Sequence, residues 1–162
     1  KTGLFQFNGL RSFFLVKNIA LALAWSLTTA TLNTVEAETI IFFIYRFTFI
    51  MALSIVIDLR DMEDDKKNGI PTIPLRAGYG ISCLTACLLL IAGYLTLIFH
   101  PYQDPCGHGL ATIAGMTSAI AACSVVLINF NRKKQFIRWS VDGNLLLHGL
   151  AFLVHHVRHV NG

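Results

Sequence analysis

Charge is what this chain has least of. Asp, Glu, Lys and Arg make up 14% of its 162 residues, while apolar side chains make up 54%; ordinary soluble domains carry roughly 25% charge. Such a chain is hard to fold in water and easy to place in lipid. Proline occurs four times, at positions 71, 74, 101 and 105, always where a turn is expected. The four cysteines form no framework. Cys83 and Cys87 share one helical stretch, Cys123 lies in another and Cys106 in a loop, with no C-x-x-C pair and no zinc spacing. They read as small apolar fillers. No nucleophile motif, dinucleotide glycine fingerprint or phosphate-binding loop occurs. Low-complexity segments and a signal peptide are also missing, and the first residue is Lys1.

What is there is apolar length. Five stretches, near 15–35, 39–57, 80–99, 109–129 and 139–157, each approach the about 17–25 residues that a helix needs to cross a bilayer. None carries the wide polar stripe of a helix in a soluble bundle. The expected fold is all-α: an integral membrane bundle of about five transmembrane helices in a single domain over 1–162, with short connections. Small residues on the first stretch (Ala20, Ala22, Ala24, Ser26) suit close helix approach, and Phe5, Phe7, Phe13 and Phe14 suit the headgroup region.

The net charge of +4 does not point to nucleic acid, because the basic residues alternate loop by loop. Lys1, Arg11 and Lys17 precede the first stretch; Arg60, Lys66, Lys67 and Arg76 follow the second; Arg132, Lys133, Lys134 and Arg138 follow the fourth. The connections 35–38 and 100–108 contain no Lys or Arg. This positive-inside asymmetry puts the amino end and the 58–74 loop in the cytoplasm, in an inner (plasma) membrane, and the carboxyl end outside.

The informative segment is Asp58-Leu-Arg-Asp61-Met-Glu-Asp64-Asp65-Lys66-Lys67-Asn-Gly69-Ile-Pro71-Thr72-Ile-Pro74, directly after the second stretch. Continued as a helix, Asp58, Asp61 and Asp65 fall at i, i+3 and i+7, within about 60° of one another. Gly69, Pro71 and Pro74 end that helix. Three carboxylates on one stripe at a membrane surface suit a hard divalent cation. Mg²⁺ usually takes one or two carboxylates from a segment and completes its shell with water and phosphate oxygens. Phe47, Met51 and Ser54 project within about 60° of the same stripe; they either line an apolar wall beneath the carboxylates or pack as ordinary helix residues.

The segment resembles the second aspartate-rich motif of the UbiA superfamily of intramembrane prenyltransferases, Asp-x-x-Asp-x-x-x-Asp, then a basic residue, Gly and Thr-x-Pro. Asp58, Asp61, Asp65, Lys66, Gly69, Thr72 and Pro74 carry the match, and Gly9-Leu-Arg11, Lys17-Asn18 and Ala24-Trp25 resemble the lead-in to the family's fifth helix. The family's first motif, Asn-Asp-x-x-Asp-x-x-x-Asp, is nowhere in these residues. The resemblance implies half of a prenyltransferase fold, with the amino-terminal helices of the same protein as partners, and little activity in these residues alone. It implies Mg²⁺ held by Asp58, Asp61 and Asp65 as the catalytic and metal residues. Arg60 and Lys66 would then contact the diphosphate of an allylic donor, Ser54, Phe47 and Met51 would bind substrate, and membrane lipid and a lipophilic or aromatic acceptor would complete the partners. The alternatives are a catalytically idle scaffold of the same fold and a cation transporter with an aspartate gate. The transporter is weaker, since the carboxylates lie at the surface rather than mid-span.

Other polar residues carry less. Arg46, about 18 Å deeper than Asp58, either snorkels outward or faces helices beyond this chain. Asp142 is a possible second polar group of the bundle. His155, His156 and His159 gather at the opposite end from the aspartates without a carboxylate or thiol nearby, and His148 reads as a polar packing group rather than a base. Asp142-Gly143 lacks the rest of the CDP-alcohol phosphotransferase motif.

Overall fold

Between Ala37 and Lys67 the sequence contains neither proline nor glycine, and this whole length forms one helix. The structure is a computed structural model that describes residues 15–30, 37–99 and 105–160. Six helices follow in order: α1 Val16–Ala30, α2 Ala37–Lys67, α3 Ile73–Ala77, α4 Tyr79–Ile98, α5 Pro105–Phe130 and α6 Lys134–Val160. Every described regular element is helical, as the apolar stretches predict. The phenylalanines of the entry segment lie outside the described residues.

The long α2 is the axis of the bundle. It packs against α1, α4 and α6 and the short α3, while α5 packs between α4 and α6. Its buried side, Tyr45, Phe49, Ala52, Leu53, Val56 and Leu59, meets Leu90 and Leu97 of α4, Val125 and Ile128 of α5, and Ile137 and Val141 of α6 in one core. Facing away from that core, α4 exposes Ile81, Leu84, Leu88, Ile91 and Leu95. Helical spacing of three and four places these on one stripe. A water-facing stripe would be polar; this one is apolar, as lipid demands.

The helices within Ile40–Lys67, Tyr79–Ile98 and Ala111–Ile128 are long and apolar enough to cross a membrane; Val16–Thr28 is a shorter apolar helix. The chain is thus a helical membrane bundle. These three helices lie at the second, third and fourth predicted stretches, and α1 and α6 overlap the first and fifth; α2 runs past the end of its stretch by the ten residues that carry the aspartates.

Gly69 stops α2. It adopts φ +67°, its N–H donates to the Lys66 carbonyl at 3.4 Å, and the Ile70 N–H donates to the Asp65 carbonyl at 2.9 Å. This is the double closure of a Schellman end, for which glycine is the favoured residue. Lys66 and Lys67 in the last turn suit the negative end of the helix dipole. Beyond it the sequence predicts only a loop, yet Ile73–Ala77 forms a further turn of helix, α3, with Ile73 and Pro74 buried. Proline in the first turn of a helix is tolerated because that N–H has no helical partner.

One close approach fixes α4 against α2. A Cβ built on Gly93 would lie 2.1 Å from Thr48 Oγ1, 3.2 Å from Thr48 Cβ and 3.4 Å from the Tyr45 carbonyl. No side chain fits there without moving a helix.

Candidate functional site

The aspartate stripe forms as predicted, on the last three turns of α2, but its members have different surroundings. Asp58 is 2% exposed and faces α1. Lys17 Nζ forms an ion pair with its Oδ1, and Asn18 Nδ2 donates to its Oδ2 at 2.9 Å. Both oxygens therefore have partners from one neighbouring helix. The Lys17 side chain remains 41% exposed, so its ammonium lies at the boundary between α1 and the carboxylate row.

Asp61 is gripped by the residue beside it. Arg60 Nε and Nη2 donate to its two oxygens, each at 2.8 Å, and that hydrogen-bonded pairing holds the Asp61 carboxyl below its usual range. The pair is partly exposed, and surface pairs of this kind contribute about 0–1 kcal/mol; Arg60 can leave at small cost. Arg60 sits off the stripe by helical angle, but its long side chain reaches back to it. Asp65 is the most poorly compensated of the three. Burial pushes its carboxyl up; the Lys17 ammonium pulls it down, and the charges of Asp58, Asp61 and Asp64 push it up again. Crowded carboxylates with too little positive charge favour a bound cation.

Among the described residues no three His, Cys, Asp or Glu side chains converge as a metal-binding group. That suits a cation that takes one or two carboxylates from a segment and completes its shell elsewhere. Helical angle puts the three on one stripe, but axial rise separates them: Asp58 and Asp65 are about 10 Å apart along the helix. One ion can reach two consecutive carboxylates at most. Asp64, off the stripe, serves elsewhere, accepting from Lys134 Nζ at 2.9 Å and thereby tying the end of α2 to the start of α6. That hydrogen bond raises the Lys134 ammonium above its usual range.

Of the other predicted site residues, Lys66 is exposed, Phe47 and Met51 are half-buried, and Ser54 is buried at 3% exposure. Phe47 stacks on Phe43 with centroids 6.3 Å apart. Three buried oxygens have no hydrogen-bond partner among the described residues: Asn18 Oδ1, Ser54 Oγ and Thr72 Oγ1. Ser54 lies one turn before Asp58, so two of the three flank that residue.

Sequence reasoning passed over two groups. Lys17 entered it as a topology charge and, with Asn18, as part of a resemblance, although a charged and an amide residue opening an apolar stretch signal a polar contact. The second is a polar knot deep in the bundle, where His148 Nδ1 lies 3.2 Å from Thr117 Oγ1 and 3.5 Å from Tyr45 Oη. The Tyr45 hydroxyl donates to the Ala114 carbonyl at 3.2 Å, and Phe49 stacks on the His148 ring at 4.3 Å. His148 is thus the packing group the sequence predicts, and it joins α2, α5 and α6. Asp142 is exposed and lies 3.6 Å from Arg138, so the structure does not place it inside the bundle. Arg46 is half-buried. The side chains of His155, His156, His159 and Cys106 lie outside the described residues.

Long apolar helices, with a row of carboxylates where one of them outruns its apolar part, define a helical membrane protein with an acidic site at the edge of the lipid. The model of the UbiA prenyltransferase family matches residues 12–144, from the segment before α1 into α6 and across every aspartate described above. The chain belongs to the UbiA prenyltransferase family. Comparison with curated proteins and with solved structures gives no match.

Proposed function

We propose that the protein transfers an isoprenyl group from an allylic prenyl diphosphate to a lipophilic, often aromatic, acceptor within the membrane, with Mg²⁺ as cofactor. The observation that carries this reading is the row Asp58, Asp61 and Asp65 at the end of α2, in a chain of the UbiA family. The donor set fits a hard cation: it is all oxygen, and unpartnered Asn18 Oδ1 and Ser54 Oγ flank Asp58. Two neighbouring carboxylates of the row would hold a cation, Asp61 with Asp65 or, as described below, Asp58 with Asp61. Water, the diphosphate and helices beyond these residues complete its shell. When bound, it supplies positive charge against the departing diphosphate. Arg60, once off Asp61, and Lys66 would meet diphosphate oxygens. Phe47, Met51 and Ser54, on the same side of α2 one to three turns deeper, offer a mostly apolar wall for the isoprenyl chain.

A catalytically idle domain of the same fold is the second reading, favoured by the occupation of both Asp58 oxygens. Incubating membranes that hold the full-length protein with labelled geranyl or farnesyl diphosphate and a panel of acceptors separates the two. Mg²⁺-dependent product is expected, and its absence with every acceptor supports the idle domain.

The orientation is testable independently. With the aspartate end cytoplasmic and five spans, single cysteines placed at Gly69 and Lys133 in a cysteine-free background label from the cytoplasmic side and one at Gln103 from the other. Labelling of Gln103 and Lys133 from one side overturns the topology.

A further inference from the structure

We propose that Lys17 is a built-in monovalent substitute for the divalent cation, which must displace it from Asp58 before that carboxylate can act as a ligand. This rests on the prenyltransferase reading above. The argument begins with the geometry of Asp58. Its Oδ1 faces Lys17 Nζ and its Oδ2 faces Asn18 Nδ2, and at 2% exposure the carboxylate has little room for further neighbours. A buried carboxylate needs a cation, and α1 supplies one. A carboxylate has lone pairs enough for both, but an ammonium and a divalent cation crowded onto one buried carboxylate repel each other, and at this burial there is little water to screen them. Lys17 on Asp58 and the metal on Asp58 therefore compete.

The lysine can yield without unfolding the helix pair. Its side chain is 41% exposed and ends a flexible four-carbon stem, so it can swing out to water or toward an anionic substrate. Asn18 stays, at 1% exposure, and keeps the carboxylate aimed. Its own Oδ1 is buried without a hydrogen-bond partner among the described residues, which leaves an oxygen beside Asp58 suited to a cation or to a water that a cation carries. Asn18 is a positioning residue here, and Lys17 is the competitor.

The test uses Mn²⁺ as probe and the full-length protein in detergent, with free Mn²⁺ read by electron paramagnetic resonance. Lys17→Met and Lys17→Gln, which remove the charge, should bind Mn²⁺ roughly tenfold more tightly than wild type, whereas Lys17→Arg should stay within about twofold of it. Affinity unchanged or weakened in both neutral variants overturns the proposal while the metal reading stands. A loss of Mn²⁺ binding in wild type and all variants alike overturns both. A second measurement needs no variant: acylation of Lys17 by an amine reagent, quantified by mass spectrometry against Lys133, should rise several-fold when Mn²⁺ is added. A constant Lys17-to-Lys133 ratio contradicts displacement.

Discussion

Asparagine in place of Asp61 or Asp65 should cut prenyl transfer by the full-length protein at least about tenfold, or roughly 1.4 kcal/mol of transition-state stabilisation. The substitution keeps the shape, removes the charge and turns one acceptor oxygen into an NH2 donor, so at Asp61 it also breaks one arm of the Arg60 fork; the loss at Asp65 is the cleaner measure of the cation's hold on the site. Asp65 should be the more sensitive, because it is half-buried among other carboxylates and, among the described residues, only the Lys17 ammonium pulls its carboxyl down. Asp64→Asn is the control. Asp64 is exposed, points about 100° away from Asp65 and engages Lys134 and Lys67, so its loss should cost transfer little. Initial rates at saturating donor over a Mg²⁺ titration check this, and excess Mg²⁺ should restore part of the Asp61→Asn loss. Equal losses at 64 and 65 would mean that the stripe is not the catalytic face.

Gly93→Ala should destabilise the bundle by about 1–3 kcal/mol, the usual cost of forcing atoms into a packed core. The new methyl would meet Thr48 Oγ1 at 2.1 Å. That hydroxyl is itself committed, donating to the Tyr45 carbonyl at 2.9 Å and the Ile44 carbonyl at 3.1 Å. Because Thr48 Cβ also lies 3.2 Å away, rotating the Thr48 hydroxyl gives only partial relief and α2 and α4 must ease apart by a few tenths of an ångström. Thermal unfolding in detergent should show a fall of several degrees. Thr48→Ala removes the nearest atom and should recover part of the loss in the double variant, a coupling that the cycle of single and double variants isolates. An unshifted transition in Gly93→Ala would show that α2 and α4 do not approach as described.

The aspartate helix was legible because its evidence is local: apolar residues without a breaker, carboxylates at fixed spacing, then Gly69. The all-helical class followed equally from scarce charge and long apolar runs. What escaped was three-dimensional. Angular arithmetic on Asp58, Asp61 and Asp65 gave their shared stripe, while their spacing along the axis, which makes the row a ladder, comes from the rise. The pairing of Lys17 and Asn18 with Asp58 spans about forty residues of chain, and no periodicity encodes which helices become neighbours. Tyr45, Thr117 and His148 are scattered polar residues until three helices bring them together. Pro71 and Pro74 read as punctuation, and the turn of helix that Pro74 opens was hidden by that reading. The roles of Asp61 and Asp65 remain a proposal that the experiments above decide.

The length of α2 has a consequence for how a ligand would arrive. Thirty-one residues make a rod of about 46 Å, against roughly 30 Å of hydrocarbon. Its excess falls almost entirely at the aspartate end, which lifts the acidic ladder to the depth where phospholipid phosphates reside. An amphiphile with a diphosphate head and an isoprenoid tail already floats at that depth, head in the polar layer and tail in oil. It can reach the ladder by sliding sideways through the leaflet, a search in two dimensions that never exposes the tail to water. A short-tailed analogue that dissolves in water would first have to partition into the bilayer, so its encounter rate would track its lipid solubility as well as its chemistry.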